Sequence, residues 1–588
     1  MSVYNRKQLK RKLITTLVLC AAIIAAGVYT VVYSITNSND PNSNDLFKDQ
    51  DFARAIADAL NIKPNQITQD MLDEYQSFYY FCNIGVNDSF TASYATPVVI
   101  LGKKEFTEYQ LAQAAKQAEE SDDTDDITSE ADDTDDIPKD YITFSFAIKK
   151  PVDITLFRNL RVLSAFDSAS VAQMQTSAYN TALYSQFYSS ITAVNFDTVI
   201  KQMKLTDLKS LTQLSDLKNL EVLALNYSGI TDFKGIEELP NLKEFDFSAT
   251  EIKSLSGIEK AAKLETLTMY NLNISDLSPL SSITTLKNVY LDSNGISDLS
   301  PLSNLTNLET VSVNNNLLKD LSALSKLENL KTLSAVSNQI ENLDGIANCV
   351  KLEKLYLSDN KFENLNALKN LTSLKTLTVS TSQTGAGTDD DVSSEPSESD
   401  TSGSTSGSGT SVRYGALKDI SGLEGCTSLK TLTLTYNKIE DISALANCTQ
   451  LKTLDLSYNN IRDISALEKC TELTTLTLSN NNIENISAVS KLTKLKELAL
   501  DNNKITDMLP VKGLDSLTSL SLRNNKITDV TGMDTAFKED IEITIDLTGN
   551  DIKDWTPLRK YTKATINGMP EKDSSDTSSD ASSGNASA

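Results

Sequence analysis

The chain is 588 residues long and about 40% hydrophobic, enough apolar content for a core of ordinary proportions. Its formal net charge of −25 argues against nucleic acid as a partner, because phosphates call for lysine and arginine patches. It has no histidine, which removes the commonest general base, the Ser-His and Cys-His dyads and every histidine-containing metal site, and no cofactor is expected.

Residues 1–12 form a basic tail in which Arg6, Lys7, Lys10, Arg11 and Lys12 face no acid, so the remaining chain carries −30. Leu13 to Ile35 follows as 23 uncharged residues. As a helix it is roughly 35 Å long, enough for a hydrocarbon core of about 30 Å. The favoured reading is an uncleaved transmembrane signal anchor at 13–35. The basic tail then stays in the cytoplasm, and a linker at 36–45 leads to a chain held outside the cell membrane. A cleavable signal peptide competes, with Ala21, Ala22, Ala25 and Ala26 supplying small residues, although its apolar core would span only about 7–15 positions. Leu17-Val18-Leu19-Cys20 has the outline of a lipoprotein cleavage site, but Leu19 stands where a small residue is wanted.

Residues 46–203 read as a mixed α/β region. Phe47 to Leu72 contains Phe52, Ile56 and Leu60 at i, i+4 and i+8, one apolar stripe of a helix. Phe106 to Ala118 reads as a helix, Tyr141 to Ile148 alternates like a strand, and Ala169 to Tyr188 reads as helical. Asn159-Leu160-Arg-Val-Leu163 echoes Asn219-Leu220-Glu-Val-Leu223, the trace of a degenerate repeat. Between residues 119 and 140 the phrase Asp-Asp-Thr-Asp-Asp-Ile occurs twice. A calcium loop would need a turn glycine and a closing glutamate at set spacing; both are missing, so a disordered acidic loop is expected.

From residue 204 to 570 the chain repeats every 22 residues. One apolar position recurs at Leu208, Ile230, Ile252, Ile274, Ile296, Leu318, Ile340 and Phe362. It resumes at Leu417, Ile439, Ile461, Ile483, Ile505 and Ile527, and a longer last unit places it at Ile552. Phe362 and Leu417 are 55 apart, one repeat plus 33, so the polar stretch at 383–411 is expected to be a disordered insertion that preserves the phase. Residues 571–588 are similar in composition and are expected to be a disordered tail.

In one unit, Leu454-Asp-Leu456 alternates as a short strand and the following apolar spacing of three fits a 3₁₀ turn. Asn459 sits where the chain leaves the strand. Its equivalents are Asn294, Asn316, Asn338, Asn360, Asn437, Asn481, Asn503, Asn525 and Asn550, while the early units carry Ser228, Thr250 and Leu272. A buried asparagine there can satisfy backbone groups freed at the turn, its own and its neighbour's, so a ladder of asparagines is expected. A single unit cannot bury its apolar face alone, and stacking supplies the core.

These units resemble the 22-residue leucine-rich repeats of bacterial internalin-like surface proteins over about residues 204–560, and Phe47–Leu72 looks like the helical cap that precedes the repeats there. The resemblance implies a leucine-rich-repeat solenoid with a parallel β-sheet on its concave face. It also implies adhesion or receptor binding at the cell surface. Two departures stand out. More than 120 residues separate the cap from residue 204, and the chain ends without the family's sorting signal or wall-binding module, which leaves anchoring to the amino-terminal helix.

The strand residues between the leucines are free to vary and face the concave side. Thr431, Thr433, Thr453 and Thr475 there are explained by strand propensity alone. Tyr227, Tyr270, Tyr290, Tyr356, Tyr436 and Tyr458 project from the same side with Asp292 and Asp455. They are the candidate ligand-binding residues for a protein or glycan, packing on neighbouring strands being the competing explanation for the tyrosines. Cys349, Cys426, Cys448 and Cys470 take the inward place that Leu305 and Leu327 hold in sister units and read as buried thiols. The expected function is therefore extracellular binding, not catalysis. The alternative is a carboxylate-based hydrolase in 73–203 using Asp153 or Asp167, with the repeats as a targeting module; no nucleophile elbow, P-loop or metal-ligand spacing supports it.

Overall fold

The computed structural model describes residues 46–86, 92–120, 140–144, 154, 156–165, 208–226, 228–382, 413–538 and 540–570. The expected membrane segment at 13–35 lies outside these residues with its flanking tail and linker. So do Asp153, Asp167, the helix expected at 169–188, the insertion at 383–411 and the carboxy-terminal tail. Among the described residues no helix is long and apolar enough to cross a membrane. The chain divides into two compact units, Met1–Leu308 and Glu309–Ala588.

The first unit opens on helix α1 (Gln50–Ala59). The Asp49 carboxylate caps it, accepting from the backbone N–H of Asp51 (3.1 Å) and Phe52 (3.3 Å) and satisfying donors that a helix start leaves open. Its apolar stripe buries Phe52, Ala53, Ile56 and Ala57. Phe52 meets Phe78 edge-on at 6.4 Å, and Phe78 meets Phe157 at 5.7 Å. A short helix α2 (Gln69–Leu72) then leads into strand β1 (Ser77–Val86).

On one side β1 pairs antiparallel with β2 (Ala92–Gly102), which pairs antiparallel with β3 (Tyr141–Phe144). On its other side β1 pairs in parallel with β4 (Val162–Ala165), Phe78 opposite Leu163. The ladder continues in parallel through β5 (Val222–Leu225), β6 (Glu244–Asp246), β7 (Thr266–Thr268) and β8 (Asn288–Tyr290). Helix α3 (Lys104–Glu120) lies between β2 and β3. Asp140 accepts from the N–H of Glu105 (2.9 Å) and Phe106 (2.7 Å), so the last residue of the expected disordered acidic loop is an ordered cap of that helix.

The sequence boundary at residue 204 therefore falls inside the parallel ladder. Leu72-Tyr75-Phe78, Phe157-Leu160-Leu163 and Leu217-Leu220-Leu223 share one spacing of three and are all buried. The echo at Asn159–Leu163 is in register with Asn219–Leu223, since Leu163 lies opposite Leu223. Phe78 and Leu163 are 85 residues apart and Leu163 and Leu223 are 60 apart, 63 and 38 more than a 22-residue turn. Both excesses leave after the strand and return before the next 3₁₀ turn, at Ile154 and at Leu211. The first turn thus follows helices α1 and α2 directly, and the more than 120 residues between Leu72 and residue 204 are largely insertions.

In the second unit eleven parallel strands follow one another among the described residues: β9 (Thr310–Ser312), β10 (Thr332–Ser334), β11 (Lys354–Tyr356), β12 (Thr376–Thr378), β13 (Thr431–Thr433), β14 (Thr453–Asp455), β15 (Thr475–Thr477), β16 (Glu497–Ala499), β17 (Ser519–Ser521), β18 (Thr544–Asp546) and β19 (Thr565–Asn567). Thr376 pairs with Thr431 and Leu377 with Leu432 across the 55-residue gap, so this insertion too leaves after a strand without disturbing the register. Each turn folds over Leu or Ile side chains with almost no exposure, Leu432, Leu434, Ile439, Ile442 and Leu445 in one of them. Burial of each is worth about 1.5–3 kcal/mol. Ion pairs one turn apart, such as the exposed Lys331–Glu309 (2.8 Å) and the half-buried Lys375–Glu353 (2.9 Å), add only modestly.

Candidate functional site

The strand exit is built around one side chain. Asn459 donates through Nδ2 to the carbonyls of Leu434 (2.8 Å), Leu456 (3.0 Å) and Ser457 (3.3 Å), and its Oδ1 accepts from the N–H of Ile439 (3.1 Å). One amide thus serves its own turn and the turn before it. Asn338, Asn360, Asn481, Asn503 and Asn525 repeat the pattern, with Nδ2 reaching back 25 residues. Asn437 reaches Val379 across the insertion (2.9 Å) and Asn550 reaches Leu522 (2.8 Å). Asn316 holds the carbonyls of Val313 and Asn314 in its own turn. In the first unit Asn294 joins Met269, Leu291 and Asp292. Earlier, Thr250 donates only to Phe247 (2.8 Å), and the Ser228 hydroxyl, 3% exposed, has no hydrogen-bond partner among the described residues.

The residue before each asparagine adopts a positive φ, the left-handed region that costs an ordinary side chain about 1–2 kcal/mol. Most occupants are of the tolerant kind or small: Asn315, Ser337, Asp359, Asn480, Asn502 and Asn524 lie between +52° and +60°. Tyr436 (φ +57°) and Tyr458 (φ +59°) are not. Their rings stack 4.1 Å apart at 15°. Burial pushes the Tyr436 hydroxyl up to about 12, helped by a hydrogen bond with Tyr458 and by the nearby charge of Asp455. Asp455 closes the last position of β14, its Oδ1 accepting from the Ser457 N–H (3.0 Å) and hydroxyl (2.7 Å). Its burial raises the carboxyl above the ordinary range, partly opposed by those two bonds. The result is two half-buried phenols, one of them within reach of the charge of the desolvated Asp455 carboxyl, a set that offers aromatic area, hydroxyl donors and an acceptor together.

Tyr414 completes the group. It lies 22 residues before Tyr436, is 45% exposed, and is close enough that its charge bears on Tyr436. The same subtraction that defines the repeat could have found it, but it sits where the insertion returns. Further along the column, Asn524 donates to Asn502 (2.8 Å) and Asn502 to Asn480 (3.0 Å), an exposed file of carboxamides continuing from the tyrosines.

The other candidates do not join this cluster. Tyr356 ends β11, three strands before Asp455 in the same column. In the first unit Tyr290 ends β8, half-buried, its hydroxyl raised by burial and by the charges of Glu244 and Asp292. Asp292 is 6% exposed, and Tyr270 donates its backbone N–H to the Ser248 hydroxyl (2.9 Å). Tyr227 lies outside the described residues.

The four repeat cysteines are free, fully buried thiols, and burial pushes them up to about 11 (Cys349, Cys470) or 12 (Cys426, Cys448). Such thiols are poor nucleophiles and fill core space. Among the described residues no group of three or more Cys, Asp or Glu could hold a metal ion.

A family profile of paired leucine-rich repeats matches residues 284–326, 328–370, 449–492, 472–513 and 493–539, and a second leucine-rich-repeat profile matches 419–461. The chain carries leucine-rich repeats. A comparison with curated proteins finds no match. Among solved structures it is similar to an internalin from Listeria monocytogenes, at 27% identity over 61% of this chain and 89% of that one, with a TM-score of 0.46. A leucine-rich-repeat protein from Leptospira interrogans matches at 20% identity over 63% and 98%, TM-score 0.47. A plant peptide hormone receptor in complex with RGF2 matches at 17% identity over 71% and 68%, TM-score 0.45.

Proposed function

We propose that the chain is a membrane-anchored extracellular binding protein whose open strand face recognises a protein ligand, as an adhesin or receptor does. The observation that carries the reading is the pair Tyr436–Tyr458. Two adjacent turns accept a left-handed tyrosine where their neighbours use asparagine, serine or aspartate, and local strain of this kind concentrates at functional positions. A rigid aromatic pair beside a desolvated carboxylate resembles the anchor residues of protein interfaces. The charge-free stretch at 13–35 behind a basic tail supports anchoring with the repeats outside.

The test uses the full chain displayed on cells. Externally added protease should remove the repeats while leaving the amino terminus protected. Surface-protein fractions should be retained by the wild type and lost at least tenfold with Tyr436→Ala/Tyr458→Ala, but not with Tyr290→Ala. Retention of the same partners by the double variant would refute the site, and protease resistance of the repeats would refute the topology.

A further inference from the structure

A second recognition surface lies in the first unit, at the edge where its parallel strands begin. Gln76, Asn159, Arg161, Asn219, Asn241 and Lys263, with the ion pair of Glu221 and Lys243, line a cleft of about 490 Å³. That size is within the range of about 300–1,000 Å³ typical of small-ligand sites.

Its lining is net basic. In a chain of net charge −25 the lining holds three cations, Arg161, Lys243 and Lys263, against one carboxylate. That carboxylate is spoken for: Glu221 accepts from Arg161 Nε (2.7 Å) through one oxygen and from Lys243 Nζ (2.8 Å) through the other. Partial burial would raise Glu221, but these two bonds outweigh it and hold the group below its ordinary value, so it stays ionised at neutral pH. Glu108 approaches Arg161 from outside the lining at 3.9 Å. Lys263 is held at the rim by a neutral partner, its Nζ donating to Asn241 Oδ1 (2.8 Å). An ammonium has three donors, so two remain for a ligand. The other walls are carboxamides, which both donate and accept. Asn159 and Asn219 are fixed by bonds to the Asp73 carbonyl (2.8 Å) and to each other (3.5 Å). Among the described residues no aliphatic or aromatic side chain lines the cleft.

We infer that this cleft binds an acidic sugar, its carboxylate paired with Lys263 and its hydroxyls bonded by the amides of Gln76, Asn159 and Asn219. The amide walls favour a hydroxyl-rich ring over an apolar peptide side chain. Arg161 spends Nε on Glu221 and has Nη1 3.9 Å from Glu108, and the Lys263 ammonium is a point charge suited to a single carboxylate, where a phosphate would draw the bidentate grip of a free guanidinium. The inference does not depend on the tyrosine pair.

Titration calorimetry of the full chain with a hexasaccharide of alternating glucuronate and N-acetylglucosamine tests it, with sialyllactose as a second arm to separate uronate from sialate. Binding should fall roughly tenfold or more when the hexasaccharide carboxyls are reduced to alcohols, and by a similar factor in Lys263→Gln. Lys351→Gln is the control, because Lys351 makes the same bond to Asn329 (2.8 Å) in the other unit; it should bind as the wild type does. An unchanged melting temperature in Lys263→Gln shows that the fold is intact. The inference fails if neither sugar binds, if the reduced hexasaccharide binds equally well, or if Lys263→Gln binds like the wild type.

Discussion

Tyr436 lies flat on Tyr458, ring centroids 4.1 Å apart, because both side chains leave the backbone from the same left-handed position one turn apart. The stack is therefore set by the repeat and not by flexible side-chain choice. Aromatic pairing of this kind is worth about 0.5–1.5 kcal/mol, comparable with the left-handed cost of about 1–2 kcal/mol per tyrosine.

Because those two energies nearly offset, Tyr458→Asn should change stability by no more than about 1 kcal/mol, in either direction. Ligand capture should nevertheless fall at least tenfold. Denaturant midpoints measured beside a capture assay separate the two effects. A loss of stability of several kcal/mol would show the pair to be structural.

Asn459→Ala should cost about 1–3 kcal/mol, since it orphans buried carbonyls of two turns and the Ile439 N–H at once. Lys494→Ala, which removes only an exposed ion pair with Glu472, should stay within about 0.5 kcal/mol. Equal denaturation midpoints for the two variants would contradict this division.

Deleting Thr384 to Ala416 removes 33 residues and restores the 22-residue phase. The far-ultraviolet circular dichroism per residue of the folded part should be kept, and the melting temperature should hold or rise as loop-closure entropy is relieved. Tyr414 goes with the deletion, so ligand capture should weaken while the fold persists.

Alkaline pH should destabilise the protein through its buried thiols. Each has a folded pKa of about 11–12 against an ordinary value of 9.0, so the folded state holds protons that the unfolded state releases. Their contribution is fully present below pH 9 and is lost as pH rises from there towards 11–12, at up to about 1.4 kcal/mol per pH unit per thiol. Cys448→Leu, the residue that sister units use, should flatten this alkaline limb in urea titrations at pH 8 to 11. An unchanged slope would show that the thiol does not contribute.

The repeat was legible because a fixed period of apolar residues leaves little freedom: Leu432, Leu454 and Leu476 fall opposite one another as subtraction requires. The asparagine positions could be read the same way, but the carbonyls they hold could not, because a partner 25 residues back is fixed by the stacking geometry alone. The first two turns were hidden for a definite reason. Insertions of 63 and 38 residues break the period around Leu163, leaving only the short echo at Asn159–Leu163. At the candidate site, Tyr436 and Tyr458 stood out as neighbours in a column, whereas their left-handed backbone, the desolvation of Asp455 and the cluster with Tyr414 emerge only in three dimensions. The cleft at Lys263 was invisible in the sequence because its lining comes from five separate turns.

All three long additions to this chain, after β1, β4 and β12, depart from one equivalent point in the turn, between the strand and the next 3₁₀ segment. That point is a seam at which the molecule has been spliced repeatedly without losing the alignment of what lies on either side. Foreign epitopes or reporter peptides grafted after Lys504 or Lys526, the positions equivalent to Gln383, should be tolerated for the same reason, whereas the same inserts placed between a 3₁₀ turn and its following strand should not.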